Sequence, residues 1–147
     1  MRKLIHTLTI AGLMLTAGAG WARDEIKDYS IKAVLDSEQA KAKLGNEVTF
    51  YFGKQKPKGK IVKTFLTVGT NKKTNAFNKS DEEACQWVFL SAMITMRNRA
   101  IQEGGNAIID IRSNYRNILT SSESTFKCGA GAFVAGTALK GTIVKIK

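Results

Sequence analysis

The stretch that most constrains the fold runs from Ser80 to Arg112, where a helix start, a helix stop and an apolar strand follow one another without a break. Ser80 precedes Glu83 by three residues, so hydroxyl and carboxylate can each satisfy a backbone N–H that the first helical turn leaves unpaired. Asp81, Glu82 and Glu83 put negative charge on that turn, and Arg97 and Arg99 lie towards the other end, both favourable against the helix dipole. Gly104-Gly105 supplies the stop, because glycine readily takes the left-handed conformation that ends a helix. The spacing predicts a helix over about 81–103. Cys85, Val88, Phe89, Ala92, Met96 and Ala100 recur on one face of it, and Trp87, Leu90, Ile94 and Ile101 make a second apolar stripe. A helix apolar on two sides is either deeply buried or shared between its own sheet and another protomer, which makes a weak homo-oligomer an expectation.

After the stop, Ala107, Ile109 and Ile111 alternate with Ile108, Asp110 and Arg112, predicting a strand with one buried and one more polar face. Asn117 to Ser124 reads as a polar loop. Phe126, Cys128, Ala130, Ala132 and Val134 then share a strand face, and Leu139, Gly141 and Ile143 continue it after a break at Gly136. The glycines at 129, 131, 136 and 141 suit close approach of the helix, or bulges.

Upstream, Tyr29, Ile31, Ala33 and Leu35 alternate as in a strand, and Ser37 caps a short helix that runs to Leu44 and stops at Gly45. Val48 to Phe52 is a strand with Val48, Phe50 and Phe52 on one face. Lys54, Lys56, Lys58 and Lys60 then surround the only proline, Pro57, before a strand over Ile61 to Val68. Pro and Gly between two strand patterns predict a hairpin loop with its charge turned outward. Gly69 to Lys79, with Lys72, Lys73 and Lys79, reads as an exposed connection. Together these elements predict an α+β fold, a mostly antiparallel sheet of about five strands carrying one long helix, with a short N-terminal helix beside it.

The first residues have the layout of a secretory signal peptide: Arg2 and Lys3, an apolar run from Leu4 to Leu15, then small residues up to Ala22. The expected cleavage follows Ala22, with Ala19 the second choice, and the apolar run is shorter than the roughly 20 residues a membrane span needs. The expected division is therefore a leader, 1–22, and one domain, 23–147, in the periplasm or secreted, with no transmembrane segment after cleavage.

Removing the leader removes His6, the only histidine, and with it Ser-His-Asp or Cys-His catalysis and any histidine-bearing zinc site. Of 23 basic residues, Arg2 and Lys3 go, leaving 21 against 12 acidic ones, a formal charge of +9. The carboxylates mostly fall where caps and solvent-facing charges belong, and no nucleophile elbow is present, so the sequence predicts no enzyme, no cofactor and no metal site. Asp110 with Arg112 is the best polar pair and reads as a surface ion pair. Two cysteines on core-facing phases in an exported chain most simply form one disulfide, Cys85–Cys128. A redox-active pair lacks a Cys-x-x-Cys arrangement, and a thiolate metal site would have only half its sulfur shell. The lysines at 54, 56, 58 and 60 form a candidate anion-binding loop, with Lys72, Lys73 and Lys79 as candidate neighbours. Export separates such a loop from nucleic acid and leaves envelope polyanions or an acidic envelope protein as partners.

Several segments carry a resemblance: Ala84-Cys85-Gln86-Trp87, Leu90-Ser91-Ala92, Arg99-Ala100 through Gly104-Gly105-Asn106-Ala107, and Cys128-Gly129-Ala130-Gly131 through Ala138-Leu139-Lys140-Gly141. They resemble a group of small secreted proteobacterial proteins that borrow their name from the excinuclease ATPase. The chain has neither the G-x-x-x-x-G-K-[ST] loop nor the paired Cys-x-x-Cys motifs which that name implies. From about Glu82 to Lys147 the chain is also distantly similar to the signalling domain of the Rcs envelope-stress sensor lipoprotein. There a cysteine at the start of the long helix bridges to a strand cysteine eight residues before a glycine, as Cys128 stands before Gly136. The lipidated cysteine, the proline-rich linker and the second disulfide of that sensor are missing. A third resemblance, to a small oligomeric family described as heavy-metal-binding (YbjQ-like), implies an α+β sheet with one long helix. The resemblances imply a non-enzymatic interaction or envelope-stress-related module, with a small-ligand or metal-binding oligomeric module as the alternative.

Overall fold

A computed structural model describes residues 23–147; the expected leader, residues 1–22, lies outside the described residues. The chain runs β1 (Glu25–Ser30), α1 (Ile31–Leu35), α2 (Glu38–Leu44), β2 (Thr49–Phe52), β3 (Ile61–Asn75), α3 (Asp81–Glu103), β4 (Ala107–Ser113), a 3-10 turn (Tyr115–Asn117), β5 (Thr125–Ala130) and β6 (Val134–Ile146). The α+β class and the long helix on a sheet are as predicted. The sheet has six strands rather than five, and two short helices rather than one stand at its N-terminal end.

β6 is the hub. Along one edge it pairs antiparallel with β3 from Ile61↔Ile146 to Asn75↔Val134. Along the other it pairs with β4 over its C-terminal half and with β5 only at Gly129↔Gly136 and Ala130↔Ala135. β1 extends the sheet beyond β5, and β2 lies parallel to β4. The sheet is therefore mixed, and the predicted hairpin between β2 and β3 does not exist: the Pro57 loop carries the chain from one edge strand to the opposite edge.

Where β5 leaves β6 the ladder forks, and two buried hydroxyls fill the gap. Ser113 Oγ accepts from Lys127 N–H at 2.9 Å, and Thr137 Oγ1 donates to the Lys127 carbonyl at 2.7 Å. Backbone groups that would otherwise be buried and unpaired are thus satisfied, which accounts for the only buried polar side chains among the described residues. Asn106 plays a similar part at the other end, its side chain accepting from Ile146 N–H at 2.7 Å and donating to the Ile146 carbonyl at 2.9 Å.

α3 lies on one face of this sheet. The Ser80 hydroxyl accepts from Glu83 N–H at 3.0 Å as predicted, and Gly104 ends the helix at φ +85°. Gly105 follows it without a side chain because a Cβ there would stand 2.4 Å from Ile143 Cγ2. The first apolar stripe is buried throughout, and Phe89 stacks on Phe126 with ring centres 4.0 Å apart. Of the second stripe, Leu90 is buried beside Val34 of α1, whereas Trp87 and Ile101 are exposed. They are 14 residues apart, about 21 Å along the helix axis, too far to form one apolar patch. The short helices thus provide an intramolecular partner for part of the surface that suggested oligomers.

Five other expectations are corrected. Ile31 to Leu35 is helical, with Ile31 and Val34 buried at a spacing of three and the Ser30 hydroxyl accepting from Ala33 N–H. β3 continues through Gly69 to Asn75, because β6 gives that polar segment a full-length partner. β4 contains a bulge: Asp110 takes φ +50°, which turns Ile108 and Ile111 to the same buried face and breaks the simple alternation. β6 passes through Gly136 unbroken, and the turn falls at residues 131–133, closed by Gly131 N–H to the Val134 carbonyl at 2.9 Å. Arg97 does not serve its own helix end: its Nε donates to the Leu44 carbonyl at 2.8 Å and its guanidinium pairs with Glu47, tying α2 to α3.

Candidate functional site

The sequence singles out three groups: the cysteine pair, Asp110 with Arg112, and the lysine loop, whose first residues adjoin Ile111. Cys85, on the first turns of α3, and Cys128, on the helix-facing side of β5, are at disulfide distance, with sulfurs 2.02 Å and Cα atoms 5.9 Å apart. Both are fully buried among Phe89, Phe126 and their neighbours. Asp110 and Arg112 pair at 3.1 Å beside the β4 bulge, with Lys140 directly across the ladder from Arg112. Arg112 Nε is buried without a hydrogen-bond partner. The pair is half-exposed.

The basic loop is more extensive than the four residues that define it in the sequence. Lys54, Lys56, Lys58 and Lys60 are all exposed. Their backbone is fastened at several points: the Gln55 side chain accepts from Phe52 N–H at 2.8 Å, the Tyr51 hydroxyl accepts from Lys58 N–H at 3.1 Å, and Lys60 and Lys147 exchange both backbone hydrogen bonds. The last pairing brings the end of β6 alongside, where Lys63 faces Lys145 across the strands. Like charges directly opposed on neighbouring strands oppose folding. Lys60, Lys63, Lys145 and Lys147 therefore share one end of the sheet, the loop from Lys54 to Lys58 runs to it from beside Ile111, and among the described residues none of these seven lysines is ion-paired with a carboxylate. Lys63, Lys145 and Lys147 could not be placed there without knowing that β3 pairs with β6. Conversely, Lys72, Lys73 and Lys79 are not neighbours of this loop: Lys72 stands 12 residues along β3 from Lys60, up to about 40 Å away.

That far end holds a hollow that the sequence does not announce. Cys128 faces α3, so Gly129 and its ladder partner Gly136 face the opposite side of the sheet, which no helix covers. There the backbone of Gly129, Gly136 and Ala138 forms the floor of an open groove of about 750 Å³, with Arg23, Asp24, Lys73, Tyr115, Arg116 and Phe133 around it. Tyr115 crosses Gly129 so closely that a Cβ would stand 1.9 Å from its hydroxyl oxygen. Arg116 is ion-paired with Asp24, and Arg23 holds Asp81 through two hydrogen bonds of 3.0 and 2.7 Å, which raise its already high pKa. The row of glycines is legible in the sequence, but the face that each one serves is not. Of the row, Gly141 alone makes room for the helix, against Met96 with Ile108 and Ile111 beside it.

No group of three or more His, Cys, Asp or Glu side chains that could hold a metal occurs among the described residues, and none of their helices is long and apolar enough to cross a membrane. No protein-family model matches the chain, and neither does any curated protein or any solved structure.

Proposed function

We propose that this chain is an exported, non-enzymatic interaction module of the bacterial envelope, related in role to envelope-stress components, that docks by its lysine-rich end on an anionic envelope surface. The observation that carries this reading is the cross-strand crowding of lysines at that end, Lys63 opposite Lys145 and Lys60 beside Lys147, none of them ion-paired with a carboxylate among the described residues. Such crowding costs folding energy in isolation and is relieved when a polyanion supplies the missing charge. The fastened loop backbone favours the same reading, because ordered lysines lose less entropy on docking. Export accounts for the leader-like N-terminus and suits a closed Cys85–Cys128 pair. It also directs the positive field to lipid phosphates and acidic protein surfaces rather than to nucleic acid.

A pull-down from envelope extracts tests this, using the wild type and a variant with Lys54, Lys56, Lys58 and Lys60 changed to glutamine, at low and moderate salt. Partners lost from the variant, and from the wild type as salt rises, are the expected result. Identical partner sets under all four conditions would reduce the lysine end to a solvated surface.

A small-ligand role is favoured independently by the groove on the helix-free face. A metal-binding role has no donor cluster to support it among the described residues.

A further inference from the structure

We propose that the helix-free face of the sheet binds an anionic amphiphile, its acidic head group held between Lys73 and Arg116 and its apolar tail laid on Phe77 and Phe133. The groove above Gly129 and Gly136 opens at one side into a second hollow of about 690 Å³ against Phe77, Phe133 and Val134, and Lys73 lines both. Volumes of this order suit a small organic ligand. One end of the combined hollow carries Arg23, Lys73 and Arg116, of which Arg23 is paired with Asp81 and Arg116 with Asp24, leaving the charge of Lys73 in excess, and the other end is apolar.

Each half is built at a cost that folding alone does not explain. Phe77 and Phe133 lie nearly parallel, with ring centres 5.8 Å apart and planes at 11°, yet remain 56 % and 66 % exposed. Their backbone is fixed: Ala76 N–H donates to the Phe133 carbonyl at 2.8 Å, and Phe77 N–H donates to Asn75 Oδ1 at 2.8 Å. Two aromatic rings held at a surface in this way leave apolar area in water that a ligand can cover. On the cationic side, Arg116 and Asn117 both take left-handed backbone conformations, φ +52° and +63°, in a turn closed by Ile118 N–H to the Tyr115 carbonyl at 3.0 Å. Consecutive non-glycine residues at positive φ are costly, and such outliers gather at ligand clamps. This one sets Arg116 over the groove. Lys73 is the cation left without a carboxylate among the described residues, and it stands where the two halves meet. A molecule that is anionic but not apolar would leave the phenylalanines wet, and one that is apolar but not anionic would leave Lys73 unmatched.

The test uses the full chain expressed in a bacterial host and recovered from its envelope fraction. Octyl phosphate and octanoate, below their micelle-forming concentrations, are titrated by calorimetry and by amide NMR; the two separate a phosphate-headed from a carboxylate-headed ligand. Saturable binding of at least one is expected, with the amides of Gly136 and Ala138 shifting, and inorganic phosphate and octanol binding at least about tenfold more weakly. Lys73→Gln and Phe133→Ser should each weaken binding by about fivefold or more while leaving the melting temperature in place, because both side chains are at the surface. The glutamine variant of the basic loop should bind like the wild type, which separates this site from the lysine-rich end. Absence of saturation by either anion at about 1 mM, or an affinity unmoved by both substitutions, would overturn the proposal. A concentration-dependent dimer that dissociates on Phe133→Ser, without anion binding, would overturn it in favour of a second copy of the chain.

Discussion

Opening the Cys85–Cys128 bridge is the perturbation whose consequence follows most directly from the fold. The two residues are 43 apart in sequence, and closing a loop of that length removes about 13 cal/mol/K of entropy from the unfolded chain, or about 4 kcal/mol at 25 °C. Both positions are fully buried, and a reduced thiol packs as a small apolar group. Reduction without substitution keeps both side chains and reads mainly the loop term together with the strain of separating two buried sulfurs, whereas replacing both cysteines by alanine adds the cavity they leave. At about 2.1 cal/mol/K per residue, the 125 described residues unfold with an entropy of about 260 cal/mol/K, so 4 kcal/mol corresponds to a fall of about 15 °C in melting temperature. The assay is circular dichroism against temperature, on oxidised protein and on protein reduced while unfolded and then refolded with excess phosphine, with intact mass to count blocked thiols. A difference under about 3 °C would mean that the bridge constrains nothing the core does not already constrain. Two freely alkylated thiols in protein taken from the periplasm would mean that the bridge does not form there.

Three further outcomes follow from the packing. Phe89→Ala should cost about 3–5 kcal/mol, because its ring is fully buried between Phe126 and Phe52, and urea unfolding measures it. Gly129→Ala should cost about 1–3 kcal/mol by driving its methyl into the Tyr115 hydroxyl, and much of the loss should return in the double variant with Tyr115→Ser. Burial, followed by the nearby Asp81 charge, raises the Tyr29 phenol above its ordinary value of about 10. A raised folded-state value means that this contribution is complete below pH 10 and is lost as pH rises through the folded value. Alkaline melts should therefore show a decline above about pH 10 that Tyr29→Phe reduces.

The parts of this fold legible in the sequence are those set by neighbours along the chain. Ser80 with Glu83, and Gly104-Gly105, bound α3 to the residue, and Ser37 with Gly45 do the same for α2. What the sequence misleads about depends on partners far away along it. Pro57 and Gly59 look like a hairpin because a turn is a local signal, whereas the pairing of β2 with β4 joins residues more than fifty apart in the chain and leaves no local mark. Ile31, Ala33 and Leu35 fit a period of two, but Ile31 and Val34 fit a period of three to four, and five residues cannot separate them. Thr70 to Asn75 carry no apolar alternation, since that end of β3 has water on one side and β6 alone fixes its conformation. Of the functional surfaces, the four loop lysines are readable, while Lys63, Lys145 and Lys147 join them only through the ladder. The groove is unreadable in principle, because its floor is glycine and its walls come from β1's approach, β3, the turn after β4 and the turn after β5.

Binding to lipid vesicles as a function of salt tests whether the lysine-rich end docks on anionic surfaces. Each lysine at an anionic membrane surface is worth about 1 kcal/mol, so changing Lys54, Lys56, Lys58 and Lys60 to glutamine should cost about 4 kcal/mol, roughly a thousandfold in affinity at low salt. Affinity of the wild type for phosphatidylglycerol-containing vesicles should fall steadily as the Debye length shrinks, with a shallower dependence for the variant and little binding of either to neutral vesicles. Equal affinity of wild type and variant for anionic vesicles, or binding that neither salt nor lipid charge alters, would mean that the lysine-rich end is not the docking surface.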